Sequence, residues 1–317
     1  MTGSDNDNRK RITTDNLENS DDIKLKTYEQ SLKLTPNDPV IHNNLGVCLI
    51  QLHKFQKAIQ CFKKAIQINP NFEPAHSNLG NVFQELGEFQ DAVSCYQKAI
   101  NIKPSFAQAH YNLGNALNKI GKTSNAISSY KEALKHNPGY NSARYNLARA
   151  QLATDDFKNG WEGFELRDGS TTKFYEKLGI TKEQVWDGRK FNGFLMIHAD
   201  QGIGDEILYS SIFSDLINYH KDPIVSADER LINIFERSFT KIKFISRKKT
   251  KEMNKIKKIN AIKSSRHLLA GSLGKYFRNS LEDFKHNQDA WLVPNMDRVE
   301  EFKKYFSDLK KIKVGLS

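Results

Sequence analysis

The chain has 317 residues, 38% hydrophobic and 27% charged, with a net charge of +11. That length accommodates two domains with a sizeable core, and no apolar run approaches the ~20 residues of a membrane span. Cys48, Cys61 and Cys95 form no metal or redox spacing, and so sparse, odd a count fits a reducing cytoplasm.

Residues 1–22 read as a polar flexible tail. The opening MTGSDNDNRKR has no apolar segment behind it, so it lacks the pattern of a secretory signal. Asp5, Asn6 and Asp7 spell a D-x-D, a metal motif in one class of transferases, but they stand far from any strand end, so no metal site is expected.

From residue 23 to 168 the chain is periodic. Pro36, Pro70, Pro104 and Pro138 stand 34 residues apart, as do Leu45, Leu79, Leu113 and Leu147. Gly46, Gly80 and Gly114 keep the same step, as do Ala58, Ala92 and Ala126, and the aromatics Phe62, Tyr96 and Tyr130. Each unit reads as a helix pair. Small residues allow close approach, the aromatic fills the space beside them, and proline ends the second helix. One pair cannot bury its apolar face alone, so the units must stack into a solenoid.

A 34-residue unit with these marks resembles the tetratricopeptide repeat. Three full units span 39–72, 73–106 and 107–140, with a half unit before them and a degenerate fourth after. The fourth keeps Leu147 and Phe164 but has Ala148 and Gly160 at the small positions, and Trp161 is expected to cap the array. Asn44, Asn78, Asn112 and Asn146 form a second ladder. An amide both donates and accepts, so this row is expected to grip the backbone of an extended peptide or protein acceptor in a concave groove. It resembles the asparagine ladder of O-linked N-acetylglucosamine transferase. His42, His76 and His110 also repeat, too far apart to share a zinc ion, and read as packing residues. Asn43, Ser77 and Tyr111 stand where a carboxylate clamp would need Lys or Arg.

Residues 169–190 read as a linker with a short helix ending in VWDGRKF. Over 191–309 strand and helix signals alternate: FLMIHA, then DEILYSSIFSDLINYH, PIVSAD, ERLINIFERSF and IKFIS. That alternation predicts a Rossmann-like parallel sheet, with ligands beyond the strands' carboxyl ends. His198, Asp200, Gln201, Gly202, Gly204 and Asp205 fall there. The glycines would permit tight turns and close approach, and the next helix start offers free N–H groups. The segment is neither a dinucleotide nor a Walker fingerprint.

The sequence GWEGFELR, then WDG, then IHADQGIGD resembles a bacterial family that joins tetratricopeptide repeats to a GT-B-type glycosyltransferase domain similar to heptosyltransferases. Asp200 departs from the family's usual Glu. The resemblance implies inverting sugar transfer, with Asp205 as base and His198 as a second catalytic candidate. Asp200, Gln201, Gly202 and Gly204 would be substrate-binding. Residues 310–317 would open a second lobe that holds a nucleotide-sugar donor, so this chain alone binds no cofactor and is expected to be inactive. The alternative is a non-catalytic interaction scaffold.

The basic character is local. Ten Lys or Arg residues and one acid lie between Lys241 and Lys263, leaving the rest near balance. No aromatics interleave the run as single-strand binders require, so it reads as a solvated loop rather than a nucleic-acid site.

Overall fold

A computed structural model describes residues 23–165, 170–199, 202–248, 258, 264–285 and 291–307. Asp200, Gln201, the D-x-D tail, most of the basic run and the second-lobe opening expected at 310–317 lie outside them. The chain divides into two compact units, with the break between Thr154 and Asp155.

The described residues of the first unit form helices only: α1 (23–34), α2 (Pro39–Gln51), α3 (Phe55–Ile68), α4 (Glu73–Glu85), α5 (Phe89–Ile102), α6 (Ala107–Lys119), α7 (Thr123–His136) and α8 (Asn141–Leu152). Helices pair as α2–α3, α4–α5 and α6–α7, and each pair packs on the next. Every turn inside a pair needs one left-handed residue. Gly87 and Gly121 supply it with φ of 79° each, and His53 adopts φ 54° at the matching position. Glycine takes that region without the Cβ clash that a side chain meets.

The periodic small residues do what their spacing predicts. A Cβ on Gly46 would stand 2.6 Å from the Phe62 ring, one on Gly80 2.7 Å from Tyr96, and one on Gly114 2.5 Å from Tyr130. Those three rings are almost fully buried, as are Ala58, Ala92 and Ala126. Apolar clusters built around Phe62, Tyr96 and Tyr130 form the unit's core.

Among the described residues of the second unit four parallel strands, β1 (Leu195–His198), β2 (Ile224–Ala227), β3 (Lys243–Ser246) and β4 (Arg266–Leu269), lie in the order β3-β2-β1-β4. The run DEILYSSIFSDLINYH forms two helices, α11 (Ile203–Ser210) and α12 (Phe213–Tyr219), rather than one. The Ser210 and Ser211 hydroxyls donate to the Ile207 and Leu208 carbonyls, each at 2.7 Å. Such local bonds compete with the helical ladder. Helix α13 (Glu229–Ser238) packs on β3.

The segment ahead of the sheet is integral to this unit. It contains α10 (Ser170–Lys177), whose Tyr175 accepts a hydrogen bond from the Leu269 N–H. Trp186 is 2% exposed, its backbone N–H donates to the His267 carbonyl, and its ring packs against Tyr219, Tyr276 and Phe277. Helix α9 (Phe157–Phe164) also belongs here. Trp161, expected at the end of the array, donates to the Arg278 carbonyl at 2.6 Å, and its ring fills the space where Gly274 has no Cβ.

The glycine–aromatic contact yields a test. Gly80→Ala must displace the buried Tyr96 ring, and overpacking of this kind costs ~1–3 kcal/mol. The urea midpoint followed by helical circular dichroism should fall accordingly. An unchanged midpoint would mean that the pairs tolerate a wider separation than the packing implies.

Candidate functional site

Helices α2, α4, α6 and α8 are the first helices of successive repeats and touch along one face. The predicted asparagine row lies on it. Asn78 donates to Asn43 at 2.9 Å, Asn112 to Asn81 at 2.8 Å and Asn146 to Asn115 at 2.8 Å. Each is thus a stitch to the preceding repeat. Asn44 has no full repeat before it and accepts from Asn43 at 3.3 Å.

The stitches continue inward. Asn81 also accepts from the Tyr96 hydroxyl at 2.9 Å, and Asn115 from Tyr130 at 2.9 Å. Burial raises the pKa of both phenols, so both remain donors. In the first repeat the corresponding pair is Val47 and Phe62, which lacks both the amide and the hydroxyl. Asn78 therefore turns to Asn43 instead.

The same face carries two adjoining grooves. One of about 420 Å³ runs from Val47, Ile50 and Gln51 to Asn112. The other, of about 610 Å³, extends past Asn115 and Lys119 to Arg149. Gln84 and Glu85 line both. The grooves have polar amide walls, with Glu85 common to both and Lys119 and Arg149 at the far end of the second.

The repeating histidines tie each unit to the last. His42, His76 and His110 place Nε2 at 2.9, 2.9 and 2.8 Å from the carbonyls of Pro36, Pro70 and Pro104. A carbonyl can only accept, so Nε2 carries the proton. Arg144 makes the same bond to Pro138. Proline's carbonyl, freed at the helix end, has a dedicated donor in every repeat.

In the second unit the chain leaves β1 for β2 and β3 on one side, then returns to β4 on the other. That reversal places a switch point between β1 and β4, where such sheets bind ligands. Gly202 caps α11 with φ −74° and ψ 171°, and its N–H donates to Asp205 Oδ2 at 3.2 Å. Asp205 thus closes half of a capping box and is only partly exposed. Neither Gly202 nor Gly204 has a left-handed φ, and a Cβ on Gly204 would meet open space. The tight glycine turn expected from QGIGD is therefore not needed for Gly202 or Gly204.

His198 is 2% exposed. Its Nε2 lies 3.1 Å from His267 Nδ1 on the adjacent strand β4, and His267 Nε2 lies 2.8 Å from Ser265 Oγ. Gln184 closes the chain by donating to Ser265 at 3.2 Å. Burial, then the neighbouring His267, lowers the His198 pKa to about 3. Burial, then Arg266, lowers that of His267 to about 4. Both rings are neutral at pH 7.

Sequence reasoning missed a third cluster, at the ends of β1, β2 and β3. Arg247 meets Glu206 at 2.9 Å and Asp228 at 3.6 Å, while Asp228 also meets Arg230 at 2.9 Å and Lys248 at 3.3 Å. Glu206 accepts from the Asp228 N–H at 2.8 Å. Burial raises the Glu206 pKa against the pull of that N–H and Arg247. The Arg230 hydrogen bonds hold Asp228 well below the usual carboxylate range. Asp228 and Arg247 each directly follow a strand, so the rule that placed the ligand edge could have found them. Among the described residues no His, Cys, Asp and Glu group could hold a metal ion, and no helix is long and apolar enough to cross a membrane.

The histidine pair sets a pH dependence. An unfolded histidine titrates near ~6.5, whereas the folded values are about 3 and about 4. Their neutral burial thus stabilises fully above the unfolded value and is lost as pH falls through it towards the folded ones. The slope reaches about 1.4 kcal/mol per pH unit per histidine. Trp161, Trp186 and Trp291 are the chain's three tryptophans and all lie after Thr154, so tryptophan emission reports this unit alone. The urea midpoint should drop between pH 7 and pH 5, and His198→Gln with His267→Gln should flatten that drop. An equal drop in the double variant would assign the dependence to other groups.

Tetratricopeptide repeat family models match residues 39–72 and 107–140, with further repeat models matching 61–94 and 80–121. Among curated proteins the chain is similar to protein FlbA of Caulobacter vibrioides, with 30% identity over 95 residues. That match covers 29% of this chain and 16% of FlbA, so the chain spans about a sixth of that relative. Among solved structures it is similar to MamA from Desulfovibrio magneticus RS-1, at 21% identity, 56% of this chain, 98% of that one and a TM-score of 0.44. It is also similar to YrrB, a protein with tetratricopeptide repeats and an unusual peptide-binding site, at 18% identity, 51% of this chain, 86% of that one and a TM-score of 0.41. The helical periodicity, the glycine–aromatic packing and the family matches agree: residues 39–140 of this chain are tetratricopeptide repeats.

Proposed function

We propose that the first unit binds an extended segment of a peptide or protein partner along its amide-lined face. The observation that carries this reading is the pair of adjoining grooves floored by Asn and Gln side chains. A peptide backbone presents alternating donors and acceptors, and an amide offers both. The stitched asparagines hold the floor rigid. Gln51, Gln84 and Gln108 reach from the same helices, and a preorganised surface loses less entropy on binding.

Placing Arg at both Gln51 and Gln84 would fill the groove while leaving the Asn78, Asn112 and Asn146 stitches in place. Peptides selected from a display library on the wild-type chain should then bind at least about tenfold more weakly, the factor that ~1.4 kcal/mol represents. Binding unchanged by both arginines, in a variant with a normal helical spectrum, would place the partner elsewhere.

A second reading concerns the α/β unit. Its parallel order β3-β2-β1-β4 and the partly exposed Asp205 beside the switch point favour the acceptor-side lobe of an inverting GT-B-type glycosyltransferase. The nucleotide-sugar donor would be held by further sequence in a longer protein. On this reading Asp205 takes the acceptor's proton, a role usually worth ~10²–10⁴-fold in rate. In that longer protein Asp205→Asn should lower sugar transfer by such a factor with folding intact. Transfer at the wild-type rate would remove Asp205 from catalysis. Absence of transfer in the longer wild-type protein, with peptide capture retained, would leave the interaction scaffold.

A further inference from the structure

The grooved face is not uniform along the array, and the change follows equivalent positions in successive repeats. One lining position reads Val47, Asn81, Asn115 and Arg149, and another reads Gln51, Glu85, Lys119 and Ala153. The face therefore passes from apolar, through neutral amide with one acid, to cationic. At the first end Val47 is 37% exposed although it belongs to a core-forming helix, and Ile50 lies beside it. At the other end Lys119 and Arg149 are both exposed and line one groove. Neither has an acidic partner among the described residues. The Arg149 guanidinium instead lies over the Tyr145 ring, 5.8 Å from its centroid.

From this gradient, and resting on the peptide-binding reading above, we infer that the groove selects an extended peptide with an apolar side chain at one end and an acidic side chain at the other. The apolar residue sits against Val47 and Ile50. The acidic residue sits between Lys119 and Arg149, where a carboxylate gains charge-assisted hydrogen bonds. Glu85 stands between the two ends and repels an acid placed earlier in the groove, so the middle of the peptide is neutral or basic. Lys119 and Arg149 lie on touching first helices, two and three repeats beyond Val47. Touching helices stand ~8–10 Å apart, so the two anchor points are separated by ~16–30 Å. An extended chain rises ~3.3 Å per residue, and the two anchor residues are therefore about five to nine positions apart.

Selection from a random dodecapeptide library on the full chain tests this directly. Enriched peptides should carry an aliphatic or aromatic residue and an Asp or Glu at about that separation. A second selection on the Lys119→Gln, Arg149→Gln double variant should lose the acid while keeping the apolar anchor. The original peptides should bind this variant about tenfold more weakly and with less dependence on salt. Val47→Asp should remove the apolar anchor instead. All three positions are solvent-facing, and helical circular dichroism checks that each variant folds. Peptides enriched without this pattern, or acids retained in the double variant, would overturn the graded selectivity and leave peptide binding standing. No enrichment over the bare support would overturn both.

Discussion

The contact between a glycine on one helix and an aromatic ring on its partner sets the geometry of the first unit. Gly46, Gly80 and Gly114 let the rings of Phe62, Tyr96 and Tyr130 lie where a Cβ would otherwise stand. Close approach within a pair carries the ring hydroxyl to the far side of the first helix, where Tyr96 and Tyr130 reach Asn81 and Asn115. Those amides then accept from Asn112 and Asn146 of the next repeat. One packing contact inside a repeat thus fixes the register between repeats and the floor of the groove. The histidine-to-proline bonds do the same at the repeat junctions. A solenoid has only neighbour contacts to hold it, so doubling those contacts with directional bonds is an economical way to make its surface rigid.

The second unit solves a different problem. Short parallel strands bury both faces, and here each is four residues long. Hydrophobic area per strand is small, and polar groups inside the sheet must be satisfied. The Gln184–Ser265–His267–His198 chain does this across β1 and β4 with neutral rings. At the carboxyl edge, the Arg247 contacts to Glu206 and Asp228 draw the exits of the first three strands together. Buried charges of this kind add little net stability, but breaking one partner is costly. Their effect is to hold the loops at the carboxyl edge in one arrangement.

The repeats were legible because periodicity averages over units. A glycine or proline at one position says little, but the same residue at a constant step of 34 requires a common cause. The stitches were not legible, since a row of asparagines looks alike whether it faces a ligand or its own neighbours. The exception at Val47 and Phe62 carried the answer, because the amide and the hydroxyl are absent from the same repeat. In the second unit three strands and α13 followed from apolar runs. Strand β4 did not, since RHLL opens on two polar residues after a long basic run, and His267 is buried by its hydrogen bonds rather than by hydrophobicity. Residues 157–164 kept the marks of a repeat helix, yet Trp161 made its contacts with Gly274 and Arg278, which lie more than a hundred residues later and carry no local signal.

The stitched ladder changes what the repeats can recognise. If the asparagines were free, each repeat would present the same donors and acceptors, and the face would read backbone alone. With one amide donor per repeat committed to the neighbouring helix, the positions free to vary are the ends of the row one turn along, Val47 and Arg149, since Asn81 and Asn115 accept the stitches. A mutation at Val47 or Arg149 leaves the stitches of Asn78, Asn112 and Asn146 in place. Rigidity is thus carried by the middle of the row and selectivity by its ends. Such an array can change its partner at the two ends of the groove, where the lining position carries no stitch, while the middle stays fixed by the bonds that hold the repeats together.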